Sequence, residues 1–473
     1  MHALVRDAAL TARTTTLRGA DAGRYYVEDE LGYYLDRGEP PGRWAGRGAA
    51  ELGLSGEVDE DAFLDLMTGV DPRTGELLGT RHTTRTVRGY DVTCSPPKSV
   101  SVLFAVGGDA VRQQVLAGHD TAVAEVIDWI DRHAHCRYRV NGNVRTFDAG
   151  GVVAALFRQH TSRSLDPQLH THAVIVNRVP APDGRWLALD ARTIKRDQRS
   201  LSALYHAALR SELTRRLGVR WREPANGIAE MVAVPDEVLA EFSQRADAVE
   251  ARIEEKLDRF VETFDRDPTA RERWALEREA VVDSRPAKVD ANAASLERDW
   301  LFRLVDLGMQ PERLVAAVTG VEPGVVRLDE ASVRLMIERA LASLAEKQST
   351  WRPAELLREL AAAVPTSLAV PAHHLGPWLD RVADEVVAAR LVDLSRPIPE
   401  GVDLRLDGRP VTEGAVERIL ALPDVLAEEE HILVVAERRT AAGGDDHAVH
   451  GADDLDAPQQ ALAQAVAGER ALV

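Results

Sequence analysis

The strongest constraint on the fold comes from two apolar runs, Gly151–His160 (GVVAALFRQH) and His172–Val179 (HAVIVNRV), joined through the loop TSRSLDPQL. Both have strand length and are rich in valine, isoleucine and alanine, the pattern of a buried strand. The short connection makes them neighbouring antiparallel strands in the centre of a sheet. Helices suited to a sheet face flank them. Val115, Val123, Ile127 and Ile130 fall at helical spacing, as do Leu201, Leu204, Tyr205, Leu209, Leu213 and Leu217. The class is therefore α/β, a layered sheet with helices packed on it.

The rest of the chain divides by pattern. Thr-rich Arg13–Arg18 reads as a strand, and Gly19–Gly38 as a polar, tyrosine-rich helical stretch. Thr93–Val106 is interrupted by Pro96 and Pro97, and its continuation KSVSVLFAV reads as a buried strand. Residues 247–307 are charged and helical, with a break at SRPAK. Residues 308–400 are leucine-rich and helical, and Ser349 or Thr350 offers a cap ahead of the helix in STWRPAELLRELAAAV. Residues 401–473 are acidic, with TAAGGDDHAVHGADDLD as a linker. There are no internal repeats.

Composition excludes several classes. Only Cys94 and Cys136 are present, so neither a disulfide framework nor a four-cysteine zinc site is available. No apolar run approaches the roughly 18 residues of a membrane helix, and Arg6, Asp7 and Arg13 interrupt any signal-peptide core. A cytoplasmic multidomain protein without membrane insertion is expected. The formal charge of −18 argues against nucleic acid binding until it is divided. Residues 1–80 carry a net −7, residues 81–222 a net +10, and residues 223–473 a net −21. The basic middle suits phosphate contacts, with Arg81, Arg85, Arg88, Lys98, Arg163, Arg192, Lys195, Arg196 and Arg199 as candidates. Trp44 and Trp186 are candidates for base stacking, with core packing the alternative for at least one of them.

The chemistry gathers around four motifs. In PQLHTHAVIVN, His170 and His172 leave the same face of a strand, about 6–7 Å apart at Cα, and two imidazoles can converge on one divalent cation. The neighbouring strand is the candidate source of a third ligand: Gln159 and His160 point to opposite faces, so only one of them can look at the histidine face unless a bulge intervenes. A histidine suits transition metals and an amide oxygen suits Mg²⁺ or Mn²⁺. In YYVEDELGYY, four of the seven tyrosines, Tyr25, Tyr26, Tyr33 and Tyr34, stand as two doublets eight residues apart. In GYDVTCSPPKSVSV, Asp91 is placed to accept a hydrogen bond from a ligand histidine or a tyrosine hydroxyl.

These motifs occur in the order Tyr doublets, RWAGRGAAELGLSGEVD, GYDVTCSPPKSVSV, TSRSLDPQLHTHAVIVN. Together they resemble the relaxase domain of MobF-type (TrwC-like) conjugative relaxases over about residues 14–307. The resemblance implies a two-layer α/β sandwich of the HUH-endonuclease type, with a central antiparallel sheet and finger helices that close over DNA. It implies attack of a tyrosine on a phosphodiester at an origin of transfer, giving a 5′-phosphotyrosine and a free 3′-OH. Tyr25 matches the first nucleophile with Tyr26 beside it. Tyr33, with Tyr34, matches the doublet of the second strand transfer. Asp91 matches the aspartate that orients a histidine and assists the tyrosine, and His170 and His172 match two of three metal histidines. The departure is FRQHTSR, where Gln159 stands at the family's first histidine and His160 falls one residue late. The resemblance makes the basic middle a groove for single-stranded DNA. It further implies Mg²⁺ or Mn²⁺, with Zn²⁺ or Ni²⁺ as alternatives, and accessory transfer and coupling proteins as partners, while the lack of any GK dipeptide implies no nucleotide. The expected division is an extension at 1–12, the relaxase at 13–307, a helical winged-helix-like connector at 308–400, and at 401–473 an acidic lead-in to a helicase that is absent, since no GK dipeptide occurs. A rolling-circle replication initiator and a catalytically impaired DNA-binding relic are the alternatives.

Overall fold

A computed structural model describes residues 12–18, 23–27, 40–83, 85–162, 164–225, 227–283, 292–320 and 327–441. Its strands in chain order include β1 (Ala12–Arg18), β2 (Arg43–Ala45), β3 (Val87–Cys94), β4 (His135–Val140), β5 (Asn143–Asp148), β6 (Ala154–Thr161) and β7 (Pro167–Val176). Five form one sheet in the order β1-β3-β7-β6-β2, antiparallel at every pairing. The two apolar runs are β6 and β7, adjacent in the sheet and covered on both faces. β4 and β5 form a separate hairpin whose turn residues Asn141 and Gly142 have φ of 51° and 81°, which suits the twist of a two-residue loop.

Alternation along each strand sorts the side chains into two cores. Val92, Cys94, Ala154, Leu169, Ala173 and Ile175 face the helices Lys98–Val106, Gly108–Arg132 and Gln198–Leu217. Ala155, Phe157, Val174 and Val176 face a smaller core with Tyr26, Phe63, Leu66 and Met67, from the short helices Arg24–Val27 and Glu60–Thr68. Trp44 and Trp186, candidates for base stacking or core packing, are half-buried against this second core.

Two local expectations fail for physical reasons. KSVSVLFAV is not a strand but the helix Lys98–Val106. Eight of its nine residues are buried, so a continuous apolar run carries no period to distinguish helix from strand. Its first turn is capped from far away, the Glu230 carboxylate accepting from the Lys98 and Ser99 backbone amides at 3.2 and 2.8 Å. The second failure is the cap at Ser349 or Thr350. The helix begins at Pro353, with Glu355 reaching back to the Arg352 amide at 2.8 Å. Trp351, 2% exposed, holds the preceding residues extended by exchanging two backbone hydrogen bonds with Leu420.

Helices Pro311–Val318, Glu330–Lys347, Pro353–Ala363 and Ala372–Arg390 follow, and their leucines join the larger core. Helix Gln198–Leu217 lies between this region and the sheet, which explains why it is buried almost all round rather than along one stripe. Farther on, the segment around 403–411 is tied to β5, where Thr146 N–H donates to the Val411 carbonyl and Asp148 accepts from the Leu406 amide. Most of the linker-like sequence after residue 440 lies outside the described residues. Among the described residues, no helix is long and apolar enough to cross a membrane.

Candidate active site

The face of the sheet turned toward the smaller core carries the chemistry. β3 places Asp91 and Thr93 there, β7 places His170 and His172, and β6 places Phe157 and Gln159. Register fixes the neighbours: His172 is paired with Thr93 on one side and Phe157 on the other, and His170 is paired with Gln159. The two imidazole centroids are 5.2 Å apart.

Asp91 is the hub. Its Oδ2 accepts from His172 Nδ1 at 2.9 Å and from the Tyr26 hydroxyl at 2.9 Å, and its Oδ1 accepts from Thr93 Oγ1 at 3.3 Å. Both hydrogen bonds anticipated for Asp91, from a histidine and from a tyrosine, are present. His170 Nδ1 donates to the Gln168 carbonyl at 2.8 Å. Each ring thus has its proton fixed on Nδ1 by an acceptor, which leaves the Nε2 lone pair for a cation. Burial, reinforced by the neighbouring His172, pushes His170 down to about 4, so the neutral ligand form prevails at neutral pH. These features fit a divalent metal. No group of three His, Cys, Asp or Glu side chains able to hold a metal occurs among the described residues, so two imidazoles need a further donor of another type.

The alternatives on β6 separate cleanly. Gln159, 4% exposed, is on the histidine face. His160 turns to the helical face, its ring 4.8 Å from that of Phe104, and burial pushes it down to about 3. Thr171, between the two histidines, also faces the helices. It meets His119 Nε2 at 2.7 Å, and His119 Nδ1 meets the Tyr205 hydroxyl at 2.7 Å, a fully buried relay that pins β7 from behind.

Of the tyrosines, Tyr26 is 4% exposed and stacks on Phe157 at 5.7 Å, with His172 edge-on at 5.8 Å. Tyr25 precedes it in the same short helix, but its side chain, like the whole of Tyr33, Tyr34 and Arg163, lies outside the described residues.

The cationic candidates split into two groups. Arg81, Arg85, Lys195, Arg196 and Arg199 are exposed, with Lys195 Nζ 5.4 Å from the centroid of Tyr90. Three others are engaged inside the protein. Arg88 is buried and donates to the Met67 carbonyl, and Arg192 is paired with the buried Asp190 at 2.6 Å. Lys98 donates to the Pro167 carbonyl and to Gln168 Oε1, both at 3.0 Å, and burial pushes it down to about 8. It secures the turn that leads into the histidines. Reading the sequence missed Thr93 and the Gln168 carbonyl. The signal for Thr93 was its position two residues after Asp91, on the same strand face.

Comparisons with known proteins point to one family. Residues 19–307 match the family model described as TrwC relaxase. Two curated relatives, the multifunctional conjugation proteins TraI of Escherichia coli and of its strain K12, are each 29% identical, over 360 and 361 residues. The alignments cover 73% of this chain and 19% of those proteins, so the chain spans about a fifth of their length. Among solved structures, the metal-bound conjugative relaxase TrwC in complex with OriT DNA is 32% identical, with a TM-score of 0.54. The same relaxase with a 27-mer comprising the recognition hairpin and cleavage site is 31% identical, with a TM-score of 0.53. Each covers 63% of this chain and 99% of the solved one. The chain belongs to the TrwC relaxase family.

Proposed function

We propose that this chain nicks one DNA strand at an origin of transfer and holds the cut end as a phosphotyrosine. The observation that carries the reading is the Tyr26–Asp91–His172 array beside His170, in a chain of this family. Tyr25 is the attacking residue. Its phenolic oxygen bonds to phosphorus, the bond to the 3′ oxygen breaks, and the phenolic proton passes to the Asp91 carboxylate. The 3′ oxygen leaves as an alkoxide that takes a proton from solvent to become the free 3′-OH, and the phosphodiester energy is kept for rejoining. Tyr26 anchors the short helix against Phe157 and Asp91. Tyr33 and Tyr34 serve a second transfer. His170 and His172, with a further donor from β6, would hold a divalent ion, which would supply positive charge to offset the negative charge developing on the phosphate. The exposed cations Arg81, Arg85, Lys195, Arg196 and Arg199 follow the strand. Residues 13–307 form the nicking unit and 308–400 a winged-helix-like region. Accessory and coupling proteins would deliver the complex for transfer.

The test uses the full chain, a labelled single-stranded oligonucleotide spanning its own transfer origin, and Mg²⁺ or Mn²⁺. A denaturation-resistant adduct that disappears in Tyr25→Phe is expected. Specific binding with no adduct under either metal would instead identify a DNA-binding relic.

A further inference from the structure

We propose that the third protein ligand of this metal centre is the Gln159 side-chain oxygen, and that this makes the site select Mg²⁺ and Mn²⁺ over Ni²⁺ and Zn²⁺. The inference rests on the reading that a divalent ion acts at His170 and His172.

Strand register carries the argument. Gln159 pairs with His170, but the next pairing is Thr161 with Pro167. Two residues of β7, Gln168 and Leu169, therefore oppose the single residue His160, and the bulge is on β7. β6 keeps its alternation through the site, so Phe157 and Gln159 share the histidine face while His160 sits against Phe104. Gln159 is buried and directly across from His170, on the same sheet face as both histidines.

The consequence is chemical. Two imidazoles and an amide oxygen form a neutral, mixed donor set. Hard cations accept an oxygen as readily as a nitrogen, whereas Ni²⁺ and Zn²⁺ gain most from a third imidazole. With no carboxylate in the set, the ion keeps its whole charge for the phosphate.

The experiment is a binding titration on the full chain, with Mn²⁺ followed by electron paramagnetic resonance and Ni²⁺ and Zn²⁺ by chelator competition. Gln159→His should raise Ni²⁺ and Zn²⁺ affinity about tenfold or more while Mn²⁺ changes by less than about threefold. Gln159→Ala should weaken Mn²⁺, and His160→Phe should leave all three ions unchanged. The near-isosteric Gln159→Glu should tighten Mn²⁺ and carries the test if a melt in chelator shows another variant unfolded. The proposal is overturned if His160→Phe loses the metal while Gln159→Ala keeps it, or if Gln159→His leaves the Ni²⁺ to Mn²⁺ preference unchanged. Absence of any divalent binding in the unsubstituted chain would overturn both readings. Mn²⁺ binding without an adduct would remove the nicking activity and leave the ligand assignment standing.

Discussion

Asp91→Asn gives the sharpest reading of the site, because one carboxylate oxygen there serves two donors. The amide preserves shape, and its oxygen can take the Oδ2 position while its NH₂ faces Thr93 Oγ1. What it removes is charge from the hydrogen bonds of His172 Nδ1 and the Tyr26 hydroxyl, each 2.9 Å long. A hydrogen bond to a charged group contributes about 1.5–3 kcal/mol and a neutral one about 0.5–1.5, so each bond loses about 1 kcal/mol. If both losses fell on the metal-bound geometry, about 2 kcal/mol would weaken the ion roughly 30-fold. That lies within the about 10–100-fold typical of changing the partner of a ligand histidine. Mn²⁺ titration should show this weakening, and adduct formation at subsaturating metal should fall in parallel. The melting temperature should drop by a few degrees, since the same bonds hold the Tyr26 helix to the sheet. Mn²⁺ affinity within about twofold of the unsubstituted chain would refute the reasoning, and so would an adduct rate that does not respond to the substitution.

Three further outcomes follow from the same structure. Neutralising exposed Arg85, Lys195 or Arg199 should weaken single-stranded DNA binding and flatten the log–log salt slope by about 0.7 for each phosphate no longer neutralised, whereas Arg88→Met should lower stability and leave that slope alone. Glu125, pushed up to about 7 by burial despite Arg132, binds a proton more tightly folded than unfolded, so its contribution to stability falls as pH rises from about 4.5 to about 7. Glu125→Gln should flatten that limb in chemical denaturation and stabilise the chain at pH 8 by about 1–3 kcal/mol. A Cβ at Gly376 would come within 1.8 Å of Glu125 Oε1, so Gly376→Ala should cost about 1–3 kcal/mol, less in a Glu125→Ala background if this clash is the cause.

Much of the site was written in local pattern. The β6–β7 pair, the shared face of His170 and His172 and the position of Asp91 follow from a period of two. The exposed and engaged arginines were not separable, because Arg81 and Arg88 look alike until the Met67 carbonyl is seen to receive one of them. The helix at Lys98–Val106 was illegible for a related reason. Its cap comes from Glu230, some 130 residues away, and burial on all sides erases the amphipathic period. The choice between Gln159 and His160 turned on which strand bears the bulge, a property of pairing rather than of either strand alone.

That bulge makes the centre sensitive to reading-frame length as well as to residue type. Because β6 runs through the site without an extra residue, losing the single codon for Gln159 would set the imidazole of His160 directly after Arg158, opposite His170. The connection between β6 and β7 is where the shortened chain would take up the slack. A three-residue deletion scan, removing Arg158, Gln159 or His160 one at a time, would then interconvert oxygen and nitrogen chemistry without introducing a new side chain.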